Sequence, residues 1–184
     1  MTRIFLTLAS LGNIVLWVAL GMGLSIGDAR QADPVVQHAV GVHFLAGVGA
    51  LVFAVMVHAL VLTYFMGTGR WLEETCTAYR LPGTYQQRNR DLKWRTLPVM
   101  ILSLTLLILT GAFGGAADPA SAVGFQGWLG MSAAEIHMTM ALLTLVVNFG
   151  VNVWEYLSLH QNATIIAEVV RDVRRIRTER GLES

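Results

Sequence analysis

A single cysteine, Cys76, stands among 184 residues, so the chain can build no internal disulfide, no Cys-X-X-Cys redox centre and no thiolate metal cluster. There is no Cys-X-X-Cys-His sequence for covalent attachment of a c-type haem, no Walker A phosphate loop and no HExxH zinc sequence. Charge is scarce too. Asp, Glu, Lys and Arg make up 14% of the chain against 54% hydrophobic residues, and the mean hydropathy is +0.56. That balance excludes an ordinary water-soluble domain and defines an integral membrane protein.

About 20 apolar residues cross the roughly 30 Å of bilayer hydrocarbon, and four stretches qualify: Ile4 to Ile26, Val35 to Met66, Thr96 to Ala117 and Met131 to Leu159. The expected fold is an all-α, four-transmembrane-helix bundle. The second and fourth stretches exceed one crossing, which predicts tilt or extension beyond the bilayer. Residues 1 to 26 have the charged start of a signal peptide in Arg3, but their apolar run is longer than a usual signal core, so an uncleaved first span is expected.

The net charge of +1 hides an asymmetry that sets orientation. Arg70, Arg80, Arg88, Arg90, Lys93 and Arg95 lie between the second and third stretches, and Arg171, Arg174, Arg175, Arg177 and Arg180 lie in the tail. The other two connections carry Arg30 as their one basic residue, among Asp28, Asp33 and Asp118. Basic loops are retained in the cytoplasm, so both termini are expected there, in a bacterial inner membrane. Lipid attraction and orientation account for the basic tail, and no nucleic-acid partner is expected.

The chain divides into a transmembrane domain, residues 1–160 with an inner loop 67–95, and a tail, residues 161–184. In the tail Ile165, Ile166, Val169, Val170, Val173 and Ile176 recur at helical spacing opposite the arginines. This is a cytoplasmic amphipathic C-terminal helix, either continuing the fourth span or lying on the inner membrane surface as an anchor or docking element. Pro82-Gly83 splits the inner loop into two stretches, Arg70 to Arg80 and Thr84 to Arg95, each expected to form a short interfacial helix. After the third span, glycines surround Phe125 and Trp128 in an outer loop that reads either as a lid or as a flexible turn. Gly23…Gly27 and Gly111…Gly115 have the GxxxG spacing associated with helix pairing.

Chemistry concentrates on the histidines. His43 and His137 each sit near the start of a long span running in the same direction, which places two imidazoles at one depth, and ionisable groups there are costly and usually functional. At 100° per residue, His43 shares a face with Gly47, Ala50, Ala54 and His58. His137 shares one with Ala141, Thr144, Asn148, Asn152 and Glu155, a polar stripe that lipid cannot satisfy and that must point inward. Helices two and four align at an offset of 94 residues, which matches His43 to His137 and His58 to Asn152 and suggests a duplicated helical pair. Small residues on one face and an imidazole from each helix form a slot in which a flat cofactor would be held from both sides.

His58 lies 15 residues beyond His43, about 22 Å along the helix. This placement resembles the membrane cytochromes b, namely the four-helix b561-like proteins and the haem-bearing anchor subunits of respiratory oxidoreductases. The resemblance rests on topology and histidine placement. It implies a b-type haem electron-transfer subunit, quinone-linked and associated with other membrane subunits or further copies of itself. It also implies His43 and His137 as axial iron ligands, with His58 as a candidate for a second haem. Asn152 departs from that pattern, because asparagine is not a usual axial ligand. One haem b is therefore expected and a second is left open.

Two other readings stay open. A non-haem metal site would combine His38, His43 and His137 with Asp33, Asp118 or Glu135. A noncatalytic accessory subunit would turn the same polar faces toward neighbouring helices. No organised base and nucleophile emerges that would make the chain a self-contained enzyme.

Overall fold

A computed structural model describes residues 1–182. It contains α1 (Thr2–Ser25), α2 (Pro34–Tyr79), α3 (Thr84–Ala117), two short strands β1 (Gly127–Trp128) and β2 (Met131–Ser132), and α4 (Ala133–Glu179). All four helices are long and apolar enough to cross a membrane. Leu45, Val52, Ile108 and Val146 expose most of their surface on the outside of the bundle, where large apolar side chains require lipid.

The helix starts are written locally. Asp33 accepts from the Val35 amide (2.8 Å) with Pro34 at the first helical position, an arrangement in which the proline's missing N–H costs nothing. Ser132 and Glu135 form a reciprocal capping box at the start of α4.

One expectation is corrected at the arginine-rich end. The stretches Arg70 to Arg80 and Thr84 to Arg95 are helical, but they are continuations of α2 and α3 rather than separate short helices. Only residues 80–83 join them, with Arg80 in the left-handed region (φ 55°) closing α2. The tail likewise continues α4 without a break to Glu179. At 1.5 Å per residue, α2 and α4 each run about 70 Å, roughly twice the hydrocarbon thickness. Hydropathy falls where a helix leaves lipid, but the helix persists because it still has a core to build. Leu72 on α2 and Ile165 and Val169 on α4 are buried together, with Leu92 and Tyr85 of α3 packed against them. Polar clamps reinforce this extension: Tyr85 donates to Asp172 (2.8 Å), and Arg88 pairs with Glu168 through both guanidinium nitrogens. The Arg88 guanidinium holds the Glu168 carboxyl below its ordinary value.

The loop between α3 and α4 contains a hairpin. Leu129 and Gly130 both take positive φ (53° and 79°) between β1 and β2, the conformation a two-residue hairpin turn needs.

The sequence offset between helices two and four extends to the whole bundle. The buried positions of α1 are Phe5, Ala9, Gly12, Leu16 and Ala19, and the residues 91 further on, Thr96, Met100, Ser103, Leu107 and Thr110, are all buried on α3. On α2, Ala50, Ala54, Val57, His58, Val61 and Phe65 map at 94 residues onto Thr144, Asn148, Val151, Asn152, Glu155 and Leu159, again all buried. Equivalent side chains meet between α2 and α4: the His43 and His137 rings lie side by side, and Asn162 donates to Thr68 (2.9 Å). The molecule is thus two α-hairpins, α1–α2 and α3–α4, related by an approximate twofold along the bundle axis. The halves share geometry and differ in chemistry, since α4 carries polar groups where α2 is mostly apolar.

Candidate functional site

His43 and His137 come together, with ring centroids 6.1 Å apart and planes inclined by 65°. Each is oriented from the neighbouring helix of its own hairpin. His43 Nδ1 lies 3.1 Å from the Ala19 carbonyl of α1, and His137 Nδ1 lies 3.2 Å from the Thr110 carbonyl of α3. A carbonyl can only accept, so each Nδ1 carries a proton, and in the neutral ring each Nε2 keeps its lone pair.

One turn beyond each carbonyl is a glycine. A Cβ on Gly23 would stand 2.8 Å from His43 Cε1, and a Cβ on Gly114 would stand 2.8 Å from His137 Cε1. Both rings therefore lie against bare backbone, and the two half-sites obey the same pattern of carbonyl, then glycine four residues on, then imidazole. Of the two GxxxG pairs, the first glycine of each packs within the protein: Gly23 receives His43 and Gly111 faces a Leu51 methyl, while Gly27 and Gly115 have open space beside them.

A cavity of about 410 Å³ surrounds the pair, reached by all four helices and lined by Gly23, Gly47, Gly111, Gly114 and Ala141 among others. Its volume suits a cofactor-sized ligand. Asp118 and Pro119 of the loop between α3 and α4 reach it, whereas the hairpin formed by β1 and β2 does not line it. In its wall the Thr110 and Thr144 hydroxyls bond to each other at 2.6 Å, and Leu16, Ala19, Ala50 and Leu145 of the wall join Ala54 and Leu107 in an apolar core.

His58 is placed apart from this pair, fully buried, and both its ring nitrogens are engaged. Nδ1 lies 2.7 Å from Glu155 Oε1, and Nε2 lies 3.0 Å from both Ser103 Oγ and Asn148 Oδ1. Asn148 in turn donates to Asn13 of α1 (3.2 Å). The surrounding level is filled by Phe5, Val57, Val61, Phe65, Met100 and Leu159. Both nitrogens of His58 are thus taken up by partners within the protein.

The candidates for a mixed metal shell do not gather. Glu135 is engaged by the Ser132 amide and hydroxyl, Asp33 by Val35, and Asp118 by the Ala120 amide. Among the described residues no group of three or more His, Cys, Asp or Glu side chains is placed to share an ion. His38 and His160 are exposed.

Helical periodicity found the faces of α2 and α4, and Ala50, Ala54, Thr144, Asn148, Asn152 and Glu155 are all buried as that periodicity requires. It missed Asn13, Ser103 and the two orienting carbonyls, which lie on α1 and α3. The one available signal was the recurrence of glycine at positions 23 and 114 in step with the histidines. No known protein family, characterised protein or solved structure matches the chain, and the site is interpreted from its geometry.

Proposed function

We propose that the chain is a membrane b-type haem protein, an electron-transfer subunit holding one haem between His43 and His137. The supporting observation is the spacing and tautomer of the two rings. Two metal–nitrogen bonds of about 2 Å, with about 1.1 Å from each nitrogen to its ring centre, put two imidazoles that share one metal about 6 Å apart, centre to centre. The observed separation is 6.1 Å. Protonated Nδ1 atoms held by backbone carbonyls leave Nε2 as the ligand atom and fix each ring's direction, the usual outer support of a metal-bound histidine. Gly23 and Gly114 seat the two imidazoles, and Gly47 leaves open space beside its backbone in the cavity wall. The residues present therefore fit a bis-histidine haem, which would supply one-electron chemistry while the protein sets its orientation and polarity.

In this reading the arginine-rich extension lies in the cytoplasm and the histidine pair toward the outer face, following the bias of basic residues. A quinone or a neighbouring membrane subunit exchanges the electron, as the resemblance to membrane cytochromes b implies. Purified protein is expected to give a reduced-minus-oxidised b-type spectrum with one haem per chain, lost in both His43→Ala and His137→Ala. A folded chain that stays colourless after haem loading would sink this reading and leave the pair as a packed polar contact.

A further inference from the structure

The second polar centre of the bundle has no role in holding the haem, yet it buries two ionisable side chains in the middle of a membrane. We propose that the His58–Glu155 pair is a buried proton-accepting site whose occupancy is coupled to the electron held at the His43–His137 site. The proposal rests on the haem reading above.

The hydrogen bonds fix most of the protons. Asn148 donates through Nδ2 to Asn13, so its Oδ1 is an acceptor toward His58, and Ser103 donates to that same oxygen (3.2 Å). His58 Nε2 must therefore carry a proton. On the other side of the ring, one further proton lies on the 2.7 Å line between Nδ1 and Glu155 Oε1. Whether it is assigned to imidazolium and carboxylate or to imidazole and carboxylic acid, the pair has no net charge.

Two acceptors are left over. Glu155 Oε2 is buried and has no hydrogen-bond partner among the described residues, and the same holds for Asn152 Oδ1. These two oxygens project from positions three apart on α4, so they share a helix face. A proton added to Glu155 Oε2 would supply a donor where the buried cluster has unpaired acceptors. The titratable groups of the cluster are His58 from α2 and Glu155 from α4. The other groups facing it, Asn13 of α1, Ser103 of α3, and Asn148 and Asn152 of α4, are neutral.

Two further polar pairs lie along the α3–α4 seam toward the arginine-rich end: Thr96 bonds Ser158 (2.9 Å), and Asn89, two turns from Thr96 on α3, bonds Asn162 (2.7 Å), which also donates to Thr68. The step balances simply. The histidine-pair site gains one electron from a one-electron donor, and one proton from water adds to Glu155, leaving a carboxylic acid beside an imidazolium. Oxidation returns both, and no bond between heavy atoms changes. The two sites are about 22 Å apart along α2, in a low-dielectric interior where salt does not screen their charges.

The test is a potentiometric titration of the full-length haem-loaded chain across pH, using dithionite as reductant, paired with a reduced-minus-oxidised infrared spectrum. In the wild type the midpoint potential is expected to fall as pH rises through part of the range. A carboxylic-acid C=O band that shifts on isotopic labelling of glutamate should appear on reduction. Glu155→Gln is expected to keep the haem spectrum and lose both the slope and the band. A haem-loaded wild type with a flat potential and no glutamate band overturns the proposal, as does a Glu155→Gln protein that keeps the slope. If Glu155→Gln does not fold, the two wild-type measurements decide alone. Absence of any haem spectrum removes the haem reading and this proposal with it, an outcome distinct from a flat potential in a haem-loaded protein.

Discussion

Gly23 and Gly114 test the site more sharply than the histidines do, because they supply no metal ligand and no polar side chain. Glycine to alanine inside a helix ordinarily stabilises it by roughly 0.5–1 kcal/mol. Here the added methyl would sit 2.8 Å from an imidazole carbon, and the ring would have to swing off its carbonyl and away from its partner. Gly23→Ala and Gly114→Ala are each expected to remain folded and to lower haem affinity about tenfold or more, a loss of about 1.4 kcal/mol, with closely similar size in the two halves. Haem titration against the folded apoprotein measures it. Unchanged affinity in either variant would mean that the rings are free to move and that the pre-set geometry is immaterial. The same residues show why only part of the site was legible in the sequence. The face shared by His43, Gly47, Ala50 and Ala54 follows from helix geometry within one segment, whereas pairing Gly23 with His43 requires knowing that α1 returns beside α2 at that register.

Elements raise a different question, namely where a membrane helix ends. Hydropathy placed the end of the second span near Met66, yet α2 continues to Tyr79. Glu73, Glu74 and Arg70 face outward along this stretch while Leu72 and Cys76 stay buried, so the amphipathic pattern, rather than mean hydropathy, carried the information. Leu72→Ala would leave a cavity against Ile165 and Val169, costing about 2–5 kcal/mol. The extension should loosen first, so Cys76, whose thiol burial pushes up in pKa, is expected to react with a maleimide well before the haem spectrum changes. Leu72 lies about 43 Å along α2 from His43; simultaneous loss of both signals would show instead that the bundle unfolds as one unit. Acid should act on the same segment. Glu168 has its pKa depressed in the folded state by Arg88, so its contribution is present at neutral pH and is lost as pH falls through that lowered value. The contribution is small because the pair is partly exposed. The acid-side rise in Cys76 labelling should therefore be modest, and it should be reduced in Glu168→Gln, which has no carboxylate there to protonate.

At the scale of the whole molecule, two hairpins share one burial pattern but not one chemistry, and this explains why a repeat with two matched levels would hold a single cofactor. At the upper level the halves agree: carbonyl, glycine and histidine recur, and the rings face each other across the approximate twofold. At the lower level His58 is matched by Asn152, Gly12 by Ser103, Ala54 by Asn148 and Val61 by Glu155. Counting ligands alone, Asn152→His would complete a second histidine pair and would be expected to add a haem. The packing argues otherwise, since His58 already gives Nδ1 to Glu155 and Nε2 to Ser103 and Asn148. Phe65 and Leu159, both essentially closed to solvent, belong to the packed core that includes Val57 and Val61 next to His58. Asn152→His is therefore expected to fold with a haem-to-protein ratio that stays at one, and with the His43–His137 spectrum unchanged. Breaking the His58 network while also opening the core, as in Asn152→His combined with Glu155→Ala and Phe65→Gly, is the least alteration from which a second haem is expected. A ratio of two in the single variant, measured by haem extraction against protein concentration, would show that the lower level is a haem site lacking only its ligand. It would then remove the basis for assigning His58 and Glu155 to proton uptake.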